Sequence, residues 1–297
     1  MGSQYFRLRE VKWVSLAEAL FAGALFGTAS IFIRFLPMLD APTIGFYRLM
    51  IAAILLMVMN YVLFKPRSSE FLSHLKHSIP LGILLGLHFI FFISAVKETT
   101  VMNATILVNT TPIFATIVGL AFFGIRPAFA ALVGLPISFA GTFLIALSTA
   151  SLIPGNLRGD LEALAAAFLW ALYLNLGRPL RKKVPLLVVM PFIYIVAAGV
   201  MFLVVCISGN RLYVPTFFEF MVLVALALLP TALGHTLHFS SLKRLTPFQA
   251  ATTALLEPIV ASSLAALLFS EVPHQIFVVG AITTLVGIFL VSKEAKS

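Results

Sequence analysis

The stretch Glu257-Pro258-Ile259-Val260-Ala261 has a counterpart 146 residues earlier in the chain, Thr111-Pro112-Ile113-Phe114-Ala115. Extended outward at the same shift, residues 95–145 align with residues 241–291 without a gap, and about a quarter of these positions are identical. The identities include two prolines and two glycines at one fixed spacing: Pro112/Pro258, Pro127/Pro273, Gly134/Gly280 and Gly141/Gly287. We therefore expect two homologous halves.

The composition places this repeat in a membrane. Apolar residues make up 61% of the 297 residues and charged residues 10%, whereas soluble proteins average about half and about a quarter. A helix needs about 20 apolar residues to cross the hydrocarbon core. Ten segments approach that length, and they predict an all-α integral membrane protein with ten transmembrane helices, spans 1 to 10: residues 13–36, 42–64, 78–97, 101–123, 127–149, 160–177, 185–207, 217–241, 246–269 and 274–291.

Each half then contains five spans. Because five is odd, the second half enters the membrane from the opposite side, so the halves are predicted to be inverted-topology repeats, an architecture typical of transporters. The predicted domains are a cytoplasmic segment (1–12), the first repeat (13–149), an external linker (150–158), the second repeat (159–291) and a cytoplasmic tail (292–297).

The basic residues predict the orientation, because cytoplasmic loops carry an excess of Lys and Arg. If both termini are cytoplasmic, fifteen basic residues lie inside: Arg7, Arg9, Lys12, Lys65, Arg67, Lys76, Arg126, Arg178, Arg181, Lys182, Lys183, Lys243, Arg244, Lys293 and Lys296. Four lie outside, namely Arg34, Lys97, Arg158 and Arg211, and Arg48 falls within span 2. We expect a multi-pass protein of the inner (plasma) membrane. The net charge of +9 comes from short clusters between spans, so we expect no nucleic-acid partner.

Several residues and motifs resemble one transporter family. They are Phe26-Gly27, Leu169-Trp170-Ala171, Phe46-Tyr47-Arg48, and above all Leu256-Glu257-Pro258-Ile259-Val260-Ala261 followed by Phe269-Ser270-Glu271. In this order and spacing they resemble the EamA branch of the drug/metabolite transporter superfamily. The resemblance implies export of small metabolites, frequently amino acids, through a cavity lined mainly by spans 1, 3, 4, 6, 8 and 9. Where the family often has an acidic residue after span 4, this chain has Ile125-Arg126, and Thr111 stands at the position equivalent to Glu257.

An ionisable side chain inside a span is costly, so each one suggests a function. Glu257 lies near the midplane, and Pro258 after it is expected to loosen the preceding turn, so that a carboxylate and freed carbonyls can bind an amine. Its alternative role is packing at a proline kink. Arg48 suits either a carboxylate-binding role or a structural role between helices.

Two polar stripes are predicted to face each other across the cavity. Span 4 carries Thr105, Asn109, Pro112 and Thr116, and span 9 carries Gln249, Thr253 and Glu257. Equivalent positions of an inverted repeat lie at mirrored depth, and Pro112 and Pro258 are predicted helix breaks. Trp170, Tyr173 and Asn175 of span 6 add the aromatic and amide groups typical of binding sites.

His88 of span 3 and His235 and His238 of span 8 occupy equivalent helices. They are predicted either to bond neighbouring helices, to line the cavity or to relay protons. His235 and His238 lack a visible third ligand, and the only cysteine is Cys206, so we expect no metal site and no cofactor.

Carboxylates near helix starts usually complement the positive end of the helix dipole, and this is the role predicted for Glu162, with Asp160 as N-cap. The small residues of span 1 (Gly23, Gly27) predict a packing face. Those of spans 5 and 10 predict either a dimer seam or a close crossing within the chain.

The sequence thus predicts a transporter that exports amino acids or similar amphiphilic metabolites by alternating access, and not an enzyme. The closer alternative is a carrier of nucleotide sugars, sugar phosphates or lipids, but a phosphate should need several cations in the cavity. The remote alternative is an intramembrane enzyme, for which Ser240 and Ser241 near His238 are the nearest candidates.

Overall fold

The protein is an all-helical bundle in the described residues of its computed structural model, which are 2–64, 68–99, 101–148, 156–209, 212–269 and 274–293. Nine of the described helical spans are long and apolar enough to cross a membrane, and the tenth, Ile276–Ser292, has 17 residues. The ten-helix prediction is therefore confirmed. Residues 150–155 of the predicted linker, Ser270 and Glu271 of the motif, Pro273, and the basic residues Lys65, Arg67, Arg211 and Lys296 lie outside the described residues.

Seven spans are single helices, and three are interrupted. The single helices are Gly2–Arg34, Ala41–Phe64, Ser68–Glu98, Phe129–Ser148, Leu157–Lys183, Leu186–Ile207 and Ile276–Ser292 (spans 1, 2, 3, 5, 6, 7 and 10). Span 4 consists of helices Val101–Val108 and Thr111–Phe123, and span 9 of Pro247–Thr253, a 3₁₀ turn Ala254–Leu256 and Glu257–Phe269. Span 8 has a π-helical segment, Ala227–His235, between helices Phe217–Leu226 and Thr236–Ser241.

Local chemistry sets the helix ends. Span 4 ends at Gly124, whose φ of +62° is a left-handed conformation that glycine adopts without strain. Span 6 begins earlier than predicted, because Asn156 is the N-cap and its side chain accepts a bond from the Arg158 backbone. The prediction of Asp160 as N-cap is wrong, since its carboxylate instead accepts a bond from Thr99 Oγ1 at the end of span 3.

The two halves repeat the same helix pairings with their roles exchanged. Span 1 packs against spans 8 and 9, and its equivalent, span 6, packs against spans 3 and 4. Spans 2 and 7 pack against each other, as do spans 5 and 10. This exchange is the packing expected of two inverted repeats related by a pseudo-two-fold axis.

The small faces of spans 5 and 10 meet within the chain. A Cβ placed on Gly280 would lie 2.8 Å from the Gly141 carbonyl oxygen, and one on Gly287 would overlap the backbone of Ser138. The sequence left a dimer seam or an internal crossing open for these faces. The structure has the internal crossing.

Candidate functional site

A cavity lies at the centre of the bundle, where both halves contribute. It encloses about 50 Å³, and since one water needs about 10–15 Å³ by this measure, the cavity has room for only a few waters. Its lining comes from spans 1, 2, 3, 4, 6, 8 and 9: Phe26, Ala29, Arg48, His88, Phe89, Phe92, Val108, Asn109, Thr111, Trp170, Pro230, His235, Ala251, Ala254 and Glu257.

The breaks in spans 4 and 9 both open onto this cavity. A proline has no N–H to offer the carbonyl four residues before it, so the helix loosens there. The loosened turns precede Thr111-Pro112 and Glu257-Pro258, and residues of both turns, Val108 and Ala254, line the cavity. Span 1 presses against the second break, since a Cβ on Gly27 would lie 2.8 Å from the Glu257 carbonyl oxygen.

The two breaks differ in chemistry. The Thr111 hydroxyl donates its one hydrogen to the Val108 carbonyl at 2.7 Å, with the Ala167 carbonyl 3.3 Å away, so it is satisfied within the bundle. Asn109 Nδ2 donates to the Thr105 carbonyl at 2.8 Å. Glu257, at the position equivalent to Thr111, brings a carboxylate to the cavity instead. The lining residues of span 4 are therefore uncharged, whereas span 9 contributes a carboxylate.

Arg48 brings the opposite charge to the same cavity. Its side chain is buried, its Nε donates to Thr231 Oγ1 at 3.0 Å, and its Cζ lies 4.2 Å from the centroid of the Phe89 ring. Arg48 and Glu257 are close enough to interact electrostatically, but no ion pair within 4.0 Å joins their described side chains.

The three histidines surround the aromatic floor of the cavity. His88 Nδ1 lies 2.9 Å from the Ala166 carbonyl oxygen, and His238 Nε2 lies 2.8 Å from that of Ala250. Because a carbonyl oxygen can only accept, these two ring nitrogens carry hydrogens and donate. His235 Nδ1 is buried and has no hydrogen-bond partner among the described residues.

The floor itself is aromatic. The centroid of the Trp170 ring lies 4.9 Å from that of His88 and 4.8 Å from that of His235, and the ring centroids of Phe26 and His235 are 4.6 Å apart. Tyr173 stacks on Trp170 at 4.9 Å, below the cavity lining and fully buried. A ligand in the cavity would contact aromatic rings on this side and the charged groups of Arg48 and Glu257 elsewhere.

Six of the nine predicted substrate-site residues line the cavity: Arg48, His88, Asn109, Trp170, His235 and Glu257. The other three are not among the lining residues. Tyr173 lies beneath Trp170, Asn175 donates to the carbonyls of Ala115 and Ala171, and the Thr253 hydroxyl bonds to the Ala250 carbonyl.

The predicted stripe on span 9 does not run along one wall. Gln249 closes a capping box with Thr246 and donates to the Val291 carbonyl at 3.1 Å, and the 3₁₀ turn Ala254–Leu256 separates Thr253 from Glu257. Of that stripe, Glu257 alone lines the cavity. Asn109 of the opposite stripe lines it too.

Sequence reasoning missed the π-helical segment of span 8. Its Thr231 hydroxyl donates to the Leu226 carbonyl, five residues earlier, and Tyr194 of span 7 donates its hydroxyl to the Thr231 carbonyl at 2.9 Å. Pro230 inside an apolar span was the available signal. The segment matters because Thr231 holds Arg48.

Beneath the floor, a polar network joins three spans on the side of the bundle where span 1 begins. Ser240 Oγ donates to Glu18 Oε1 at 3.2 Å, and Arg181 Nη2 donates to Ser240 Oγ at 3.3 Å. Ser241 donates to the His238 carbonyl. In these contacts the Ser240 hydroxyl joins spans 1, 6 and 8, and neither serine hydroxyl bonds to a histidine ring.

Across the described ranges, no three His, Cys, Asp or Glu side chains are grouped closely enough to hold a metal ion. The ionisable side chains that line the cavity are Arg48, Glu257, His88 and His235.

Comparison with known proteins gives three findings. The model of the EamA-like transporter family matches residues 12–147 and again 157–293. An uncharacterized transporter of Archaeoglobus fulgidus is 28% identical over 291 residues, which cover 95% of this chain and 96% of that protein. A solved crystal structure shares the fold with a TM-score of 0.76 at 18% identity, over 93% of this chain and 95% of that one. The family match therefore covers both halves of the chain.

Proposed function

Because the chain belongs to the EamA-like transporter family and is a multi-pass membrane transporter, we propose that it exports amino acids or similar small amphiphilic metabolites by alternating access. The observation that carries this proposal is Glu257, a carboxylate at a helix break in an otherwise largely apolar central cavity. Such a carboxylate binds the amine of a substrate whose apolar part rests on Trp170 and Phe26.

The small size of the cavity supports a mechanism in which the helices around it change position during transport. A cavity of about 50 Å³ is too small for an amino acid, so the spans must separate for substrate to enter and leave. The two repeats, 13–149 and 159–291, are the proposed units, because two quasi-equivalent halves can exchange conformations and expose one midplane site to each side in turn.

The cavity chemistry favours this substrate class over a phosphate-bearing one. Recognition of a phosphate commonly uses several Arg or Lys side chains. Among the described lining residues Arg48 is the one arginine, and no lysine accompanies it. We therefore place nucleotide sugars and sugar phosphates second.

The proposed location is the inner membrane, with both termini in the cytoplasm. The Lys and Arg distribution supports this orientation, since fifteen basic residues then lie on the inside and four on the outside. Export follows if the cavity loads from the cytoplasmic side, where the Glu18, Ser240 and Arg181 network would have to open.

Glu257→Gln tests the proposal in proteoliposomes loaded with a panel of radiolabelled amino acids, with nucleotide sugars as rivals. We expect wild-type protein to transport amino acids and Glu257→Gln to lose most of that transport, because the neutral amide cannot pair with an ammonium group. Glu98→Gln is the matched control, since Glu98 lies outside the cavity and pairs with Arg158 at 3.4 Å. Wild-type kinetics in folded Glu257→Gln protein would contradict the proposal.

A further inference from the structure

Arg48 has a donor that the bundle leaves unused. The side chain is 1% exposed, yet Nη1 has no hydrogen-bond partner among the described residues. A buried donor without a partner costs about 1–3 kcal/mol, and more when the group is charged. The residue lines the central cavity, so the missing partner belongs with whatever occupies that cavity.

The guanidinium is also held in place before any ligand arrives. Nε donates to Thr231 Oγ1, and Thr231 is itself fixed by the Leu226 carbonyl and by Tyr194. The Phe89 ring lies 4.2 Å from Cζ and supports the planar group from one face. An arginine fixed in this way is pre-organised to receive an anion, and its planar set of donors matches a carboxylate in particular.

Glu257 supplies the complementary charge at a separate position. If the two residues were simply counter-ions, a direct ion pair would be the favourable arrangement in a cavity with room for only a few waters. They interact electrostatically but form no ion pair within 4.0 Å. The cavity thus presents a positive group and a negative group with a gap between them.

From these observations we propose that Arg48 is the carboxylate receptor of the cavity, and that the substrate is a zwitterion whose carboxylate binds Arg48 while its ammonium group binds Glu257. The inference rests on the proposed function and narrows it. A simple amine or a simple acid would leave one of the two cavity charges unpaired, so either should bind more weakly than the zwitterion. The apolar part of the substrate faces Phe26, Phe92 and Trp170.

Three probes of nearly the same shape test this on the wild-type protein. L-leucine carries both charges, L-leucinamide lacks the carboxylate, and 4-methylpentanoate lacks the ammonium group. Each competes, unlabelled, against counterflow of a radiolabelled amino acid that wild-type protein transports. We expect leucine to compete roughly 10- to 100-fold better than either analogue, the range for losing one charged hydrogen-bonded contact. Equal competition by leucinamide overturns the inference.

Substitutions at Arg48 test whether this residue is responsible for the preference for leucine over leucinamide. In Arg48→Gln the advantage of leucine over leucinamide should disappear, whereas its advantage over 4-methylpentanoate should persist because Glu257 is intact. Arg48→Lys keeps the charge and should restore part of the preference. Arg158→Gln is the control, because that side chain is 73% exposed and outside the cavity. If Arg48→Gln does not fold, the wild-type comparison above decides.

The outcomes separate the two proposals. If wild-type protein transports no amino acid, the proposed function fails and this inference fails with it. If it transports amino acids but a folded Arg48→Gln protein still prefers leucine to leucinamide, only the inference fails. In that case Arg48 is a structural residue of spans 2 and 8.

Discussion

At the scale of single residues, Tyr194 shows how the position of the Arg48 guanidinium depends on a side chain that does not itself line the cavity. Its hydroxyl donates to the Thr231 carbonyl and accepts from Thr236 Oγ1, both at 2.9 Å, and the side chain is fully buried. A π-helical segment leaves backbone groups out of the usual i to i−4 pattern, so partners from neighbouring helices stabilise it. Tyr194 thus supports the segment that positions Arg48.

Tyr194→Phe tests this support. We expect the change to lower the stability of the folded protein by about 1–2 kcal/mol, because the Thr231 carbonyl loses a buried donor. Transport should also fall, since Thr231 would hold Arg48 less firmly. Thermal unfolding of purified protein in detergent measures the first effect and counterflow the second. Tyr61→Phe, at a site 70% exposed, should change neither; equal behaviour of the two variants would count against the role of Tyr194.

At the scale of elements, the sequence predicted two interruptions and missed the third. Pro112 and Pro258 match at one repeat spacing, and the prolines predicted the loosened turns that the structure has in spans 4 and 9. The π-helical segment around Pro230 was not predictable in the same way. It depends on Tyr194, Thr236 and Arg48, which lie on other helices or other turns, and a sequence alone does not say which side chains meet.

Spans 5 and 10 can cross closely because the residues at the crossing include glycines, which have no side chain. Gly287→Ala places a methyl group against the Ser138 backbone, which cannot move aside as a flexible side chain would. We expect less folded protein and a lower unfolding temperature. Gly199→Ala is the control, because nothing lies within 4 Å of its Cβ position and alanine favours helix over glycine by about 1 kcal/mol. If both variants unfold at the wild-type temperature, the two helices lie farther apart at the crossing than these distances indicate.

At the scale of the whole molecule, the sequence predicted the architecture well and the site in part. Span positions follow from the length of apolar runs, so most predicted ends fall within about three residues of the structure. Predicting the site also requires knowing which face of each helix is turned toward the cavity. Glu257 and Arg48, singled out as charged residues inside spans, line the cavity, whereas Thr253 and Asn175 bond within the bundle.

Orientation is the whole-molecule property that decides which end of the cavity faces the cytoplasm. In a Cys206→Ala background, we expect Asn156→Cys to react with a membrane-impermeant thiol reagent in intact cells, because the loop between spans 5 and 6 is predicted to be external. Lys183→Cys, between spans 6 and 7, should react only after permeabilisation, because its basic neighbours predict a cytoplasmic loop. Both positions are exposed, so accessibility and not burial decides the labelling. The reverse pattern would invert the proposed topology and place the Glu18, Ser240 and Arg181 network outside.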